Sequence, residues 1–186
     1  MLFWKKKIPP SAELTDATLD EYLALLRSKG WTVTEFSGTV ELTDESFRRR
    51  YPRIPEQYQK FLSKVASCVN KDETVWFVCA AEYNGTSDSA WAWNEFEKLD
   101  LEGAGDDQEW RNETTSFWDK HLPFLYSVGG EYAHRSFRVD DEKFGSVVDG
   151  FEDVTDVSEL ASSFADFIRV HTDELNEKPR TLPDFI

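Results

Sequence analysis

Hydrophobic positions along the chain switch between two periods, and the switches mark the elements. Leu19, Tyr22, Leu23 and Leu26 recur at i, i+3, i+4 and i+7. That spacing predicts a helix from Thr18, with Glu21 three residues on and Gly30 to end it. "WTVTEF" and "TVEL" alternate around Ser37-Gly38 and predict a hairpin from Trp31 to Leu42. Thr43 suits the cap of a short helix ending near Arg50. "YPRIP" then breaks the chain, because proline lacks a backbone donor and restricts the residue before it. Pro55 fits the first position of the next helix, whose apolar side is Ile54, Tyr58, Phe61, Leu62 and Val65. "TVWFVCAA", residues 74–81, is a continuous apolar run of strand length and predicts a central strand covered on both faces.

The second half reads differently. Asn84-Gly85 marks a turn. Trp91 and Trp93 fall on one side of an extended segment, or near each other in a loop. "EGAGDD" reads as a mobile connection, and "EWRNETTSFWDKHL" as a helix burying Trp110, Phe117 and Trp118. Leu122-Pro123 ends that helix and "PFLYSV" follows as a strand. Gly129-Gly130 permits positive backbone angles at a tight turn. "YAHRSFRV" alternates, with Tyr132, His134, Ser136 and Arg138 on one face and Ala133, Arg135, Phe137 and Val139 on the other. "DDEKFG" reverses the chain and "SVVDGF" returns as a strand. A final helix is expected from near Asp156, with Glu159 in a capping-box position and Leu160, Ala161, Phe164, Phe167 and Ile168 as its stripe. No internal repeat is present. Helices followed by a run of strands, closed by a helix, predict a single α+β domain with a mostly antiparallel, twisted sheet. The expected division is an N-terminal arm, helix and hairpin over 1–43, the main domain over 44–170 and a polar tail over 171–186.

Composition supports a packed core: 40% of the 186 residues are hydrophobic, with seven tryptophans and fourteen phenylalanines. Charge changes the picture more. The 36 acidic and 21 basic residues give a net −15. Residues 1–60 are nearly balanced, with ten Lys/Arg against nine Asp/Glu, so the excess lies in the remainder. Such a field repels phosphate backbones and excludes nucleic acid as a natural partner, whereas a basic protein is attracted. The plainer explanation of the charge is solubility alone. Cys68 and Cys79 form no CxxC and match no zinc spacing; reduced core thiols are expected, a disulfide being the alternative. "MLFWKKKIPP" lacks the order of a secretory signal, and no apolar run reaches the roughly 20 residues a membrane helix needs. A soluble, cytoplasmic protein without membrane contact is expected.

"IPEQYQKFL" at 54–62 resembles the apolar-Pro-x-x-Tyr-x-x-Phe-Leu signature of the SUKH superfamily, which takes in yeast cell-wall assembly regulators and many bacterial immunity proteins. "DESFRRRY" stands upstream where that superfamily shows a short phenylalanine-bearing helix. "LPFLYSVGGEY", "GSV" at 145–147 and "SSFADFI" at 162–168 match its later motifs in order. The resemblance runs from about Asp44 to Ile168. It departs at Asn70, which lacks the glycine that commonly follows, and across an expanded 84–120. It implies a twisted antiparallel sheet with helices against it. It also implies a role as a binder, either neutralising a toxin, often a nuclease or deaminase, or acting as a signalling scaffold. The family shares no cofactor or catalytic residue, so none is carried over.

The residues themselves point the same way. His134 and Arg135, near Asp140 and Asp141, would face opposite sides of a strand, which is poor geometry for an acid–base pair. "DEK" at 141–143 echoes the end of a nuclease metal motif but lies in a turn. No serine elbow, phosphate-binding glycine loop, HExxH or calcium loop is present, and "RRRYPR" reads as a solvated basic helix face. No enzyme, metal or cofactor is therefore expected. Binding is better supported. Asp106, Asp107 and Glu109 in a loop, Asp140, Asp141 and Glu142 in a turn, and Glu152, Asp153 and Asp156 before the last helix would present carboxylates to Lys and Arg of a partner. Trp91, Trp93 and Trp110 are the candidate aromatic anchors, core packing being the plainer fate of each. The expectation is a monomeric immunity-type protein that binds a basic toxin domain through an acidic surface; the alternative is a regulatory scaffold.

Overall fold

The computed structural model describes residues 13–36, 38–130, 132–151 and 156–176. Within them the chain runs α1 (Asp16–Ser28), β1 (Thr32–Glu35), α2 (Glu45–Arg50), α3 (Glu56–Leu62), β2 (Val65–Val69), β3 (Val75–Phe77), α4 (Ala80–Tyr83), α5 (Glu95–Ala104), α6 (Gln108–Trp118), β4 (His121–Ser127), β5 (Ala133–Arg138), β6 (Val147–Phe151), β7 (Val157–Ala161) and α7 (Phe164–Asn176). The fold is α+β, with one antiparallel sheet whose strand order follows the chain from β1 to β7. Each strand therefore pairs with the next, and every connection that carries helices returns to the neighbouring position.

Helices cover both faces. On one face Phe77, Phe124 and Phe137 meet Tyr58 and Phe61 of α3, Phe164 and Phe167 of α7, and Tyr22 of α1. On the other, the register Trp76–Tyr126–His134–Gly150 crosses four strands. There Trp76 meets Trp91, Tyr126 and His134 meet Phe96 of α5, and His134 meets Trp118 of α6. The predicted alternation of β5 is present: His134 and Arg135 point to opposite faces. Arg135 is buried, and its charge is met by Asp149 at 3.1 Å and by both oxygens of Glu174 on α7 at 2.9 and 3.0 Å. A buried guanidinium is tolerated only when its donors are matched in this way. Pro123 sits inside β4, a position denied to proline in a regular central strand, and the ladder slips there between Pro123 and Leu125.

The departures from the sequence reading have physical causes. There is no Trp31–Leu42 hairpin: β1 pairs instead with β2, Val33 opposite Cys68, and residues 39–44 are not a strand. The helix expected to reach Val65 stops at Leu62, so Val65 opens β2. The run 74–81 splits into the three-residue β3 and the start of α4. Residues 95–104, read as leading into a mobile connection, form α5. Residues 157–161, read as a helix start, form β7 against β6. Helix α7 begins later, where Ser163 Oγ accepts from the Asp166 amide at 3.2 Å, and it runs to Asn176 with His171 and Leu175 buried. Asp44, not Thr43, caps α2, its carboxylate accepting from the Phe47 amide at 2.7 Å. Gly129 and Gly130 have no positive φ; Gly129 is needed for space, since a Cβ there would fall 3.0 Å from Thr74 Oγ1. Helix α1 and β1 share the sheet and the core with the rest of the described chain, through Leu19, Tyr22, Leu23, Leu26 and Trp31.

Candidate functional site

Among the described residues, the most exposed large apolar side chains lie on the α5–α6 helical hairpin, beside dense charge. Phe96, Ala104, Thr114 and Trp118 turn inward. Gly105, at φ +51°, allows the tight link that follows α5. Asp107 then caps α6 by accepting from the amides of Glu109 at 3.0 Å and Trp110 at 3.1 Å. Its charge also complements the positive end of that helix. The two helices are tied by Thr114 Oγ1 donating to Asp100 at 2.6 Å and by Arg111 donating to the carbonyls of Leu101 at 2.9 Å and Gly105 at 3.2 Å.

At its other end the hairpin is fixed to α2. Arg50 donates to Glu97, to Asp119 at 2.9 Å and to the Thr115 carbonyl at 3.4 Å. Burial pulls the Arg50 guanidinium down, but the hydrogen bond to Glu97 and the carboxylates beside it outweigh that and hold it above its ordinary value. The hairpin is thus anchored at one end and free at its tip.

Its outer surface carries Trp110, 42% exposed, and Leu99, 41% exposed. Trp110 lies over Gly103, its ring 3.7 Å from where a Cβ would stand, and Leu99 is one helical turn from that glycine. Exposed Glu102 lies three residues from Leu99, and exposed Asp106, Asp107, Glu109 and Glu113 lie within four residues of Trp110. Residues 95–119 hold nine carboxylates against Lys98 and Arg111. The arrangement has the anatomy of a protein-docking patch: an apolar centre for affinity and a charged rim for approach and selectivity.

The other expected site residues are placed differently. Asp140 is engaged by Arg138 and by the Lys143 amide; although burial raises its pKa, the Arg138 contact outweighs this and keeps it below the usual carboxylate range. Asp141 faces Arg53 at 3.2 Å, and Glu142 is exposed. This turn lies at the far end of α6 from Asp106–Glu109, because the Val139 amide donates to the Lys120 carbonyl just past that helix. Eleven residues at about 1.5 Å each keep the two acidic groups roughly 16 Å apart, so they do not merge into one patch. Glu152 and Asp153 lie outside the described residues, and Asp156 is exposed at the start of β7.

Trp91 and Trp93 are half-buried and hold the 84–94 loop to the body. Trp91 packs on Trp76, Phe96 and Tyr132, and Trp93 packs edge-on against Phe47 and Tyr51. Trp110, a candidate anchor whose plainer fate was the core, is the exposed one of the three. Leu99 was missed altogether. The signal existed in the spacing of Phe96, Leu99 and Gly103, which suits a helix with one small position for a neighbouring ring.

The three histidines are buried. His171 Nδ1 meets the Tyr22 hydroxyl at 2.6 Å. His134 Nδ1 meets Ser136 Oγ at 2.8 Å and His121 Nδ1 the Phe117 carbonyl at 2.8 Å. Cys68 and Cys79 are buried free thiols, both pushed up by burial and so unreactive as nucleophiles. Among the described residues no group of three His, Cys, Asp or Glu could hold a metal ion, and no helix is long and apolar enough to cross a membrane. No family model matches this chain, and no curated protein matches it.

Proposed function

We propose that this protein is a non-catalytic protein-binding module of the immunity type, which neutralises a basic toxin domain by docking it on the α5–α6 hairpin. The observation that carries the reading is the pairing of exposed Trp110 and Leu99 with a carboxylate rim on a rigidly clamped helical hairpin. The resemblance of "IPEQYQKFL" and the later motifs to the SUKH superfamily supports the same reading and supplies the toxin class. The protein acts as a stopper: the acidic rim draws in a cationic surface, and the indole seats in an apolar recess of it.

The test is co-expression with basic nuclease and deaminase toxin domains, together with titration calorimetry of any pair that forms. Rescue of growth and a one-to-one complex are expected. Affinity should fall steeply with salt, since the screening length shrinks from about 8 Å at physiological ionic strength to about 3 Å at 1 M. Trp110→Ala should cost about 2 kcal/mol or more of binding. A complex that ignores both salt and Trp110 would remove the hairpin from the mechanism. Binding without rescue would favour the regulatory-scaffold reading.

A further inference from the structure

A second surface does not fit the acidic pattern. Between residues 38–42, α2 and α3 lies a groove of about 990 Å³, with Val40, Leu42, Ile54 and Leu62 among its apolar lining and Arg48, Arg49 and Lys60 at its rim. Through Pro52, Ile54 and Gln59 it runs on into a shallower depression of about 540 Å³ that ends at Phe144, on which the Arg53 guanidinium stacks 4.2 Å from the ring centroid. Among the described residues the two together are lined by four basic side chains and two acidic ones, Glu45 and Glu56, in a chain of net charge −15. The excess of cations is local, and it coincides with the partly buried aliphatic side chains Val40, Leu42 and Ile54.

Within that rim the cations are lightly held. Arg48 is exposed and has no ion pair among the described residues. Arg49 has only Glu45, one turn away, with both side chains at least three-quarters exposed, so the pair contributes little and yields readily to a better partner. Lys60 is the exception, bound to Asp16 at 3.0 Å and to the Leu14 carbonyl at 3.0 Å. The groove wall from Phe47 to Tyr51 is rigid: Phe47 is fully buried, and the Tyr51 hydroxyl donates to the carbonyls of Trp118 at 2.6 Å and His121 at 3.1 Å.

We infer that this groove is a second docking site, receiving a segment of a protein that carries both carboxylates and large apolar side chains. The elongated shape suits a chain segment, the aliphatic floor takes its apolar residues, and Arg48 and Arg49 meet its carboxylates, while Arg53, further along, already faces Asp141 at 3.2 Å. Arginine suits the task because its planar fork can take a carboxylate through two parallel hydrogen bonds. The long-range field of the acidic body opposes approach, but at physiological salt it is screened beyond about 8 Å, so contacts at the rim decide. The site is separate from the hairpin and has the opposite charge preference, so one protein can hold two dissimilar surfaces at once.

The decisive experiment selects short random peptides by phage display on the whole protein, in parallel with the double variant Arg48→Glu/Arg49→Glu and with Trp110→Ala. Both arginines are exposed, so the charge reversal leaves the fold intact, which circular dichroism and the melting temperature check. Expected is a family of peptides combining Asp or Glu with Leu, Phe or Trp. It should bind the Trp110→Ala protein as well as wild type and lose about tenfold or more on the charge-reversed one. Acidic peptides that bind the charge-reversed protein undiminished would overturn the proposal, as would selection yielding only basic peptides. Fluorescence anisotropy with a labelled DNA duplex provides the other arm. Binding of the duplex that disappears in the charge-reversed protein would assign the groove to phosphate backbones and overturn it. Loss of basic peptides on Trp110→Ala reports on the hairpin alone and leaves the two sites separable.

Discussion

The two faces of the sheet are built from similar aromatic residues but settle their polar groups differently. Under α1, α3 and α7 the packing is dry and matched. Phe124 stacks on Phe137 with centroids 4.2 Å apart, Tyr58 donates to the Val78 carbonyl at 2.6 Å, and the buried guanidinium of Arg135 has carboxylates on two sides. Under α5 and α6, three buried ring nitrogens, Trp118 Nε1, His121 Nε2 and His134 Nε2, have no protein partner among the described residues. A buried polar group left without any partner costs about 1–3 kcal/mol. Gly150 makes room for one of them, since a Cβ there would fall within 2.6 Å of His134 Cε1. The first face pairs its buried Arg135, Tyr58 and His171 within the protein. The second is a less well-satisfied platform, and the α5–α6 hairpin is carried on it. A molecule that must present an apolar patch to a partner gains from this division, because the patch can be varied without touching the main core.

The largest effect should come from cutting into the matched face. Phe124 contacts Tyr58, Phe137, Phe164 and Phe167 and is fully buried. Phe124→Ala should cost about 3–5 kcal/mol in chemical denaturation. A loss below about 1 kcal/mol would mean the sheet's two sides contribute alike and the contrast is false.

The same contrast governs what could be read from the sequence. Elements on the matched face carry strong periodic signals: the stripe of α1, the Tyr58–Phe61–Leu62 face of α3 and the alternation of β5 are all legible, because each buries one regular side. The misreadings cluster where tertiary pairing overrides local pattern. Val65 continues the helical spacing of α3, yet Lys64 ends the turn and β2 is drawn out by pairing with β1 and β3. "VSELA" at 157–161 has helix-forming residues but is held as β7 by Val148 opposite Glu159 and Gly150 opposite Val157. Helix α5 was hidden by its acidic residues and Gly103, and with it the site, since neither Leu99 nor the exposure of Trp110 can be deduced without knowing that two helices lie side by side. The acidic excess was legible as a total; its division between the two ends of α6 was not, because that depends on where β5 returns.

A milder and more specific effect should come from acid, acting on the platform face. Burial, and secondarily His121, push the His134 pKa down to about 3 from an ordinary 6.5. Above pH 6.5 both folded and unfolded chains carry a neutral ring, and the full stability is present. Between 6.5 and about 3 the unfolded chain takes up a proton that the native state refuses, so stability falls by about 1.4 kcal/mol per pH unit, or roughly 3 kcal/mol by pH 4.5. Urea denaturation of wild type and His134→Leu at several pH values should show the variant losing less over this window. Parallel profiles would mean that His134 is protonated in the native state and that the platform is wetter than its geometry. The histidine's own ring-proton titration by NMR gives the same answer if the variant folds poorly.

The smallest change in stability should come from the outer surface of that platform. Trp110 and Leu99 leave two-fifths of their surface in water, and neither side chain makes a hydrogen bond among the described residues. The clamp is made by Arg50, Arg111 and Thr114 on other sides of the two helices. Replacing both with alanine removes apolar area that is only partly withdrawn from water. Alanine also favours helix more than either residue it replaces, tryptophan by the larger margin. These terms oppose one another, and the net shift in the unfolding free energy should stay within about 0.5 kcal/mol, the range of ordinary surface changes. Binding of a basic partner should meanwhile fall by a factor of about 30 or more, the scale of a lost anchor. The two measurements together separate a docking surface from misplaced core. If the double variant melts well below wild type, Trp110 and Leu99 are packing residues and the hairpin loses its claim. If it is as stable as wild type and still binds in full, the carboxylate rim alone carries the contact, and the apolar centre is incidental.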